Sequence, residues 1–164
     1  MSEQMEENKE ETAYHEAGHA VMGCVRERYP LSVSIVGDGK GVVGRTDFED
    51  DLPPSVFRHF DQSETKKKYI RTRVLIEVAG TIAHDIKYPG RAHDEGDAND
   101  DRSARQFVTE GVHFEDDRDA YLASARQEAE DLLKKNWPLV EKVATALLER
   151  RELSRTELLE ILAA

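Results

Sequence analysis

The chain has 164 residues, of which 38% are hydrophobic and 35% are charged, a balance typical of a soluble, helix-rich domain large enough to bury a core. Its formal net charge of −11 argues against a nucleic-acid partner, because a phosphate-binding surface needs an excess of lysine and arginine. No apolar run approaches the roughly 20 residues that cross a bilayer, so no membrane partner is expected for this chain.

The beginning of the chain is polar and acidic, and residues 1–11 are predicted to form a flexible segment ahead of a single domain over residues 12–164. The only cysteine, Cys24, excludes an internal disulfide and fits a reducing compartment, so a cytoplasmic location is expected. Cys24 also belongs to an apolar helical pattern and is interpreted as a buried, inert thiol.

The first half of the chain predicts one helix and one hairpin. Apolar residues recur at three- and four-residue steps over residues 12–28, which is typical of an amphipathic helix, and Pro30 ends it. Residues 31–36 alternate as a strand, and residues 42–46 return as a second strand after a glycine-rich turn at 37–41.

The second half is predicted to be helical. Pro53 and Pro54 mark a loop, and Ser63 caps a long helix whose apolar stripe runs to residue 86. Further helices are predicted over residues 99–110 and 117–136, after Pro138, and after a capping box at residues 154–157. The expected fold is therefore mainly α, with one small β-hairpin or sheet near the first helix.

The first helix contains the pattern HExxH, formed by His15, Glu16 and His19. Residues four apart lie on one helix face, so the two imidazoles can bind one zinc ion. Glu16 is offset by about 100° and flanks the ion, where its carboxylate can take a proton from a zinc-bound water. Ala17 and Gly18 keep this helix slim, which favours close approach by another element.

Zinc in a catalytic site needs a third protein ligand, and no histidine follows His19 at a suitable spacing. The acidic stretch at residues 93–104 is the richest supply of ligands. The long helix offers His84 and Asp85 as rivals, since a helix that faces HExxH can supply the third ligand. Either residue could instead orient a ligand histidine from behind.

Five segments, taken in order and spacing, resemble the peptidase domain of the FtsH family of AAA proteases. The likeness runs from about residue 12 to residue 162 and is carried by TAYHEAGHAV, VSIVGDGKGVVGRT, VLIEVAGTIAHDI, EGDANDDRSARQFV and the helical tail after residue 124. In that family the zinc ligands are the two histidines and an aspartate from a GASND-type motif. The corresponding GDAND at residues 96–100 implies Asp100 as the third ligand, with Asp97 and Asp101 as near alternatives.

Two departures from the family pattern limit what the resemblance implies. The family's AGRAAEE block reads AGTIAHD here, so that His84 and Asp85 replace its two glutamates. No GxxxxGK[ST] phosphate-binding loop and no membrane anchor occur in this sequence, so the ATP-dependent unfolding of the family is not carried over.

The expected function is that of a zinc-dependent metalloendopeptidase, with Zn²⁺ as cofactor, that cleaves unfolded polypeptides or peptides and acts stand-alone and without ATP in this chain. The substrate is expected to bind as an added strand beside Gly41, Val42, Val43, Gly44, Arg45 and Thr46. The alternative is a non-catalytic metal-binding interaction module, although Glu16 favours the enzyme because a pure binding site does not need it. The sequence is compatible with a homo-oligomer.

Overall fold

The computed structural model describes residues 2–37, 42–49, 51–61 and 63–164, and at residue 42 it describes the backbone alone. These residues form a mainly helical domain with a small antiparallel sheet, as the sequence predicts. The elements are α1 (Glu3–Val25), β1 (Ser32–Gly37), β2 (Val42–Asp47), a 3₁₀ helix (Pro54–His59), α2 (Glu64–Lys87), α3 (Glu95–Gly111), α4 (Arg118–Lys135), α5 (Trp137–Arg150), β3 (Glu152–Ser154) and α6 (Arg155–Ala163). None of the helices in the described part of the chain is long and apolar enough to span a membrane.

Helices α1 and α2 pack against each other at close range, and this pair positions the candidate site. A Cβ atom at Gly18 would lie only 2.6 Å from both the carbonyl oxygen of Ala79 and the Cβ atom of Ala83. The helices can therefore approach only because the residues at the contact are small, as the sequence indicates. Helices α4 and α5 cover the same core, which includes the fully buried side chains of Ala17, Leu75, Ala125, Ala129, Val143 and Leu147.

The start of α1 differs from the prediction. The helix begins at Glu3, so residues 3–11, expected to be flexible, are helical in the structure. Their acidic side chains meet the segment that follows α2. The Tyr88 hydroxyl donates to Glu10 Oε1 at 2.8 Å, and the Arg91 guanidinium pairs with Glu7 Oε2 at 3.2 Å and Glu11 Oε1 at 2.6 Å. These tertiary contacts, distant in sequence, stabilise a helix whose local pattern is weak.

The sheet has the strand order β2-β1-β3, and all of its pairings are antiparallel. The predicted hairpin is confirmed, with Val33 opposite Thr46 and Ile35 opposite Gly44. The third strand, β3, was not predicted, because three residues are too few to show an alternating pattern. Strand β2 forms one edge of the sheet, since among the described residues it pairs only with β1. The predicted turn falls largely outside the described residues.

Capping side chains set several helix boundaries. The Ser63 cap of α2 and the capping box formed by Ser154 and Glu157 are present as predicted. Helix α3 begins at Glu95, four residues earlier than the predicted start at residue 99. The reason is a second capping box, in which Asp94 accepts from the Asp97 backbone N–H at 3.1 Å and donates its own N–H to the Asp97 side chain at 3.2 Å.

The region after β2 is more ordered than the predicted loop. A short 3₁₀ helix, Pro54–His59, begins with Pro54 in its first turn, where a proline is tolerated because its missing N–H would have no partner in the helix. Its Phe57 side chain is fully buried and lies against Phe107 of α3, with ring centroids 5.2 Å apart. This contact attaches the segment to the helix that carries the acidic motif.

Candidate metal centre

Three side-chain atoms from two helices converge in the structure. His15 Nε2 and His19 Nε2 lie 3.0 Å apart on α1, because their four-residue spacing places both rings on one face. Asp100, in the second turn of α3, places Oδ2 2.8 Å from His15 Nε2 and 3.0 Å from His19 Nε2. The structure thus brings together the three residues expected to bind zinc.

This triangle of atoms fits a zinc ion. In a tetrahedral site with bonds of 2.0–2.1 Å, neighbouring ligand atoms are about 3.3 Å apart, close to the separations of 2.8–3.0 Å found here. Two imidazoles and one carboxylate are also a donor set that zinc prefers. The triangle lies in an open cavity of about 680 Å³, so a fourth position can be filled by water or substrate.

The outer nitrogen of each histidine ring is held by the protein. His19 Nδ1 donates to the backbone carbonyl of Ile76 at 2.7 Å, and because a carbonyl can only accept, this bond fixes the proton on Nδ1. His15 Nδ1 donates to Asp97 Oδ1 at 3.1 Å. In both rings Nδ1 is therefore taken up by a hydrogen bond and Nε2 faces the centre, so that loss of the Nε2 proton to an incoming metal ion leaves the tautomer that a metal ligand needs.

The charges of the centre favour a cation. Burial lowers the pKa of His15, but hydrogen bonds with Asp100 and Asp97 outweigh it and raise that pKa to about 10. Burial of Asp97 is likewise outweighed by its bond with His15, and its pKa falls to about 2. The pKa of Asp100 is also lowered, because both histidines bond to it against the effect of burial. The ionised carboxylates of Asp97 and Asp100 thus stabilise the protonated, positively charged histidines. A divalent cation can take the place of these protons.

Glu16 lies in the same cavity and does not belong to the triangle. Its side chain is buried, and its Oε2 accepts a hydrogen bond from Thr46 Oγ1 at 2.6 Å. A Cβ atom at Gly44 would collide with the Glu16 carboxyl group, so a side chain at this point of β2 would displace the carboxylate from its present position. Strand β2 therefore fixes the carboxylate from one side while α1 carries it beside the two histidines.

Gly80 of α2 faces the same centre and was not predicted as a site residue. A Cβ atom there would lie 2.6 Å from His15 Nε2 and would also collide with the His19 ring. The sequence signal for this role is the small pair of Ala79 and Gly80, which by itself indicates only a close contact between helices. Its position shows that the absent side chain leaves the space in which the imidazoles meet.

The rival ligands lie elsewhere. His84 Nε2 is 3.5 Å from Glu11 Oε2, and Asp85 Oδ1 accepts from His93 Nε2 at 2.6 Å, so neither side chain reaches the triangle. Asp101 instead forms ion pairs with Arg105 and Arg126. The residue behind the His15 ring is Asp97 and not Asp85, which corrects the expectation for the orienting carboxylate.

The predicted substrate strand lies along the same cavity. Val43, Gly44, Arg45 and Thr46 all line it, and the Val43 side chain is half exposed. Val42 is described by its backbone alone, within β2, and Gly41 falls outside the described residues. The part of the prediction that the structure describes therefore lies next to Glu16, on the edge strand of the sheet.

Comparisons with known proteins identify the family of the chain. A family model described as peptidase family M41 matches residues 2–114. The chain is 26% identical to YTA10, a component of the mitochondrial inner membrane m-AAA protease of Saccharomyces cerevisiae, over 95% of this chain and 24% of that protein. It is 27% identical to the ATP-dependent zinc metalloprotease FtsH of Haemophilus influenzae, over 94% of this chain and 25% of that protein.

The similarity covers almost all of this chain but only about a quarter of the length of these curated relatives. A further relative, the ATP-dependent zinc metalloprotease FtsH 4 of Sorangium cellulosum, is 27% identical over 93% of this chain and 28% of its own length. The predicted resemblance to the FtsH family is confirmed. The matched residues contain His15, Glu16, His19 and Asp100, and the chain belongs to peptidase family M41.

Proposed function

We propose that this chain is a zinc-dependent metalloendopeptidase domain that cleaves unfolded polypeptides and acts without ATP. One observation carries the proposal: the three converging atoms of His15, His19 and Asp100 share an open cavity with the carboxylate of Glu16. A site that only bound metal would need the triangle, but would not need a buried carboxylate fixed beside it by Thr46.

His15, His19 and Asp100 would hold the metal ion. When bound, zinc supplies a Lewis acid for the scissile carbonyl and lowers the pKa of water at its open position. Glu16 acts as the general base and then the general acid: its carboxylate takes the proton from the attacking water and transfers it to the leaving amine nitrogen. Thr46 orients Glu16 through Oε2, which leaves Oε1 for the proton.

The edge of β2 supplies a binding mode for the substrate. Among the described residues β2 pairs only with β1, so its outer backbone groups are available to an extended peptide. Because Gly44 and Thr46 touch Glu16, a strand added there would pass beside the general base. Backbone pairing demands few particular side chains, so we expect cleavage with loose sequence preference.

Replacement of Thr46 by valine tests the orientation of Glu16. The change keeps the shape of the side chain and removes its hydrogen bond to the carboxylate. A hydrogen bond to a charged group contributes about 1.5–3 kcal/mol, so kcat should fall roughly tenfold or more while KM and zinc content stay near wild type. Steady-state kinetics with a fluorogenic peptide measure this split. An unchanged kcat would show that Thr46 does not position the base.

A second prediction concerns ATP and the fold of the substrate. The sequence contains no phosphate-binding loop, so addition of ATP should leave the cleavage rate unchanged. A permanently unfolded substrate such as casein should be cleaved far faster than a tightly folded protein of similar length, because only an extended segment can pair with β2. Stimulation by ATP, or equal cleavage of both substrates, would contradict the proposal.

Metal removal tests the cofactor. A chelator should remove the zinc ion held by His15, His19 and Asp100 and stop casein digestion, and added zinc should restore the activity. An ion present at 1,000 times its Kd stabilises the folded state by about 4 kcal/mol, so Tm should fall by roughly 8–16 °C. Elemental analysis and thermal denaturation measure the two effects. A melting curve unchanged by chelator, with no metal in the purified protein, would be incompatible with a zinc site.

A cytoplasmic location is also part of the proposal. The single thiol of Cys24 is partly buried, and burial raises its pKa to about 11, so the reactive thiolate is disfavoured. An inert thiol without a disulfide partner is compatible with a reducing compartment.

A further inference from the structure

A second group of potential metal ligands lies behind the first centre. His84, near the end of α2, His93, in the segment before α3, and Asp97, in the first turn of α3, each offer one ligand atom, and these atoms all lie within 4.8 Å of one another. Two imidazoles and a carboxylate again form a donor set suited to zinc and its neighbours among the transition metals. The geometry of this group is looser than that of the first centre.

His84 carries a polar atom that the protein leaves unsatisfied. Its side chain is 5% exposed, and its Nδ1 has no hydrogen-bond partner among the described residues. Asp85 Oδ1 lies 3.6 Å from this atom, beyond hydrogen-bonding distance. A buried polar atom without a partner destabilises the folded state, so the unsatisfied Nδ1 indicates a ligand that would bind there.

We propose that His84, His93 and Asp97 form a second site for a divalent transition-metal ion, with zinc as the expected occupant. An ion bound there would give the buried imidazole of His84 the partner that the protein does not provide. His84 and Asp97 line the open cavity, and the His93 side chain is 47% exposed, so an ion has a path from solvent.

Small side-chain movements complete this site. Ligand atoms around tetrahedral zinc are about 3.3 Å apart, whereas the ligand atoms of His84, His93 and Asp97 are separated by up to 4.8 Å, so they must move closer together to bind an ion. His93 can make this movement, because it is half exposed and precedes the first turn of α3. Asp85 accepts from His93 Nε2 at 2.6 Å and can orient that ring as an outer carboxylate, the arrangement common around zinc-bound histidines.

The two centres are linked but not fused. Asp97 Oδ1, in the second group, accepts from His15 Nδ1, in the first, so the two groups share a hydrogen bond and no ligand. This separation excludes the shared two-metal geometry, in which the ions are about 3.5–4 Å apart. The second ion would instead join the end of α2 to the start of α3 and bind the carboxylate that orients His15.

The test is a zinc titration of protein that has been stripped of metal and freed of any affinity tag, with a chromophoric chelator as competitor. Wild type should bind two equivalents, the first more tightly. His93→Ala should weaken the second equivalent at least about tenfold, because one of three protein ligands is lost, and leave the first unchanged. His113→Ala, which removes another exposed histidine, should leave both equivalents as in wild type.

A paired variant separates this inference from the proposed peptidase centre. The double substitution His15→Ala and His19→Ala should abolish the first equivalent and keep the second, whether or not the protein is a peptidase. Circular dichroism confirms that each variant is folded. A single equivalent in wild type, or a second equivalent that His93→Ala and His84→Ala both leave unchanged, would overturn the second site.

Discussion

Replacement of Glu16 by glutamine is expected to lower the rate of peptide hydrolysis by roughly 10²–10⁴-fold while zinc content stays at the wild-type level. The amide cannot accept a proton from the attacking water, yet it keeps the size of the side chain and can still accept from Thr46. Because Glu16 lies outside the triangle formed by His15, His19 and Asp100, its loss should not weaken metal binding. Fluorogenic peptide kinetics and elemental analysis measure the two quantities.

Glu6→Gln is the matched control, because it makes the same chemical change at an exposed position of the same helix and should alter neither quantity. A Glu16→Gln variant that digests casein at the wild-type rate would remove Glu16 from the mechanism. If zinc-loaded wild type cleaves no unfolded substrate, the chain is better described as a metal-binding interaction module.

The second large effect is expected at Asp100. Its replacement by alanine removes one of three protein ligands and leaves two imidazoles, so zinc affinity should fall at least about 100-fold and peptidase activity should be lost. Asp101→Ala is the control, since Asp101 is the next residue in sequence but pairs with Arg105 and Arg126. Competition with a chromophoric chelator measures both affinities.

Asp97→Ala should give an intermediate result. This residue acts through the outer nitrogen of His15, and loss of such a partner typically weakens zinc about 10–100-fold. If Asp100→Ala keeps full zinc and activity while His84→Ala or Asp85→Ala loses both, the third ligand belongs to α2, and the proposed centre is wrong.

Local patterns were sufficient to predict most elements of this fold. The apolar periodicity of α2, the hairpin and the capping box at Ser154 depend on residues close together in sequence, and the structure confirms them. Strand β3 and the early start of α1 depend on partners far along the chain, such as β1 and Arg91, so no local pattern revealed them. Where the local sequence pattern is weak, tertiary contacts determine whether a helix or strand forms.

The same distinction applies to the candidate site. HExxH is a local pattern, and it predicted that His15 and His19 would share a face of α1. The pairing of His15 with Asp97 joins residues 82 positions apart and is set by how α3 packs, so spacing alone could not separate Asp97 from Asp85 as the orienting carboxylate. Gly80 was missed for the same reason, since its role depends on which atoms lie opposite.

The most direct test of the proposed function is the initial rate of hydrolysis of an unstructured fluorogenic peptide, measured while zinc is returned stepwise to metal-free protein. The rate should rise in proportion to the first equivalent and then level off, because that ion occupies the centre of His15, His19 and Asp100 beside Glu16. Glu16→Gln should bind the same equivalent and show almost no rise. Absence of hydrolysis at every zinc concentration, or an equal rise in the Glu16→Gln variant, would contradict the proposed peptidase.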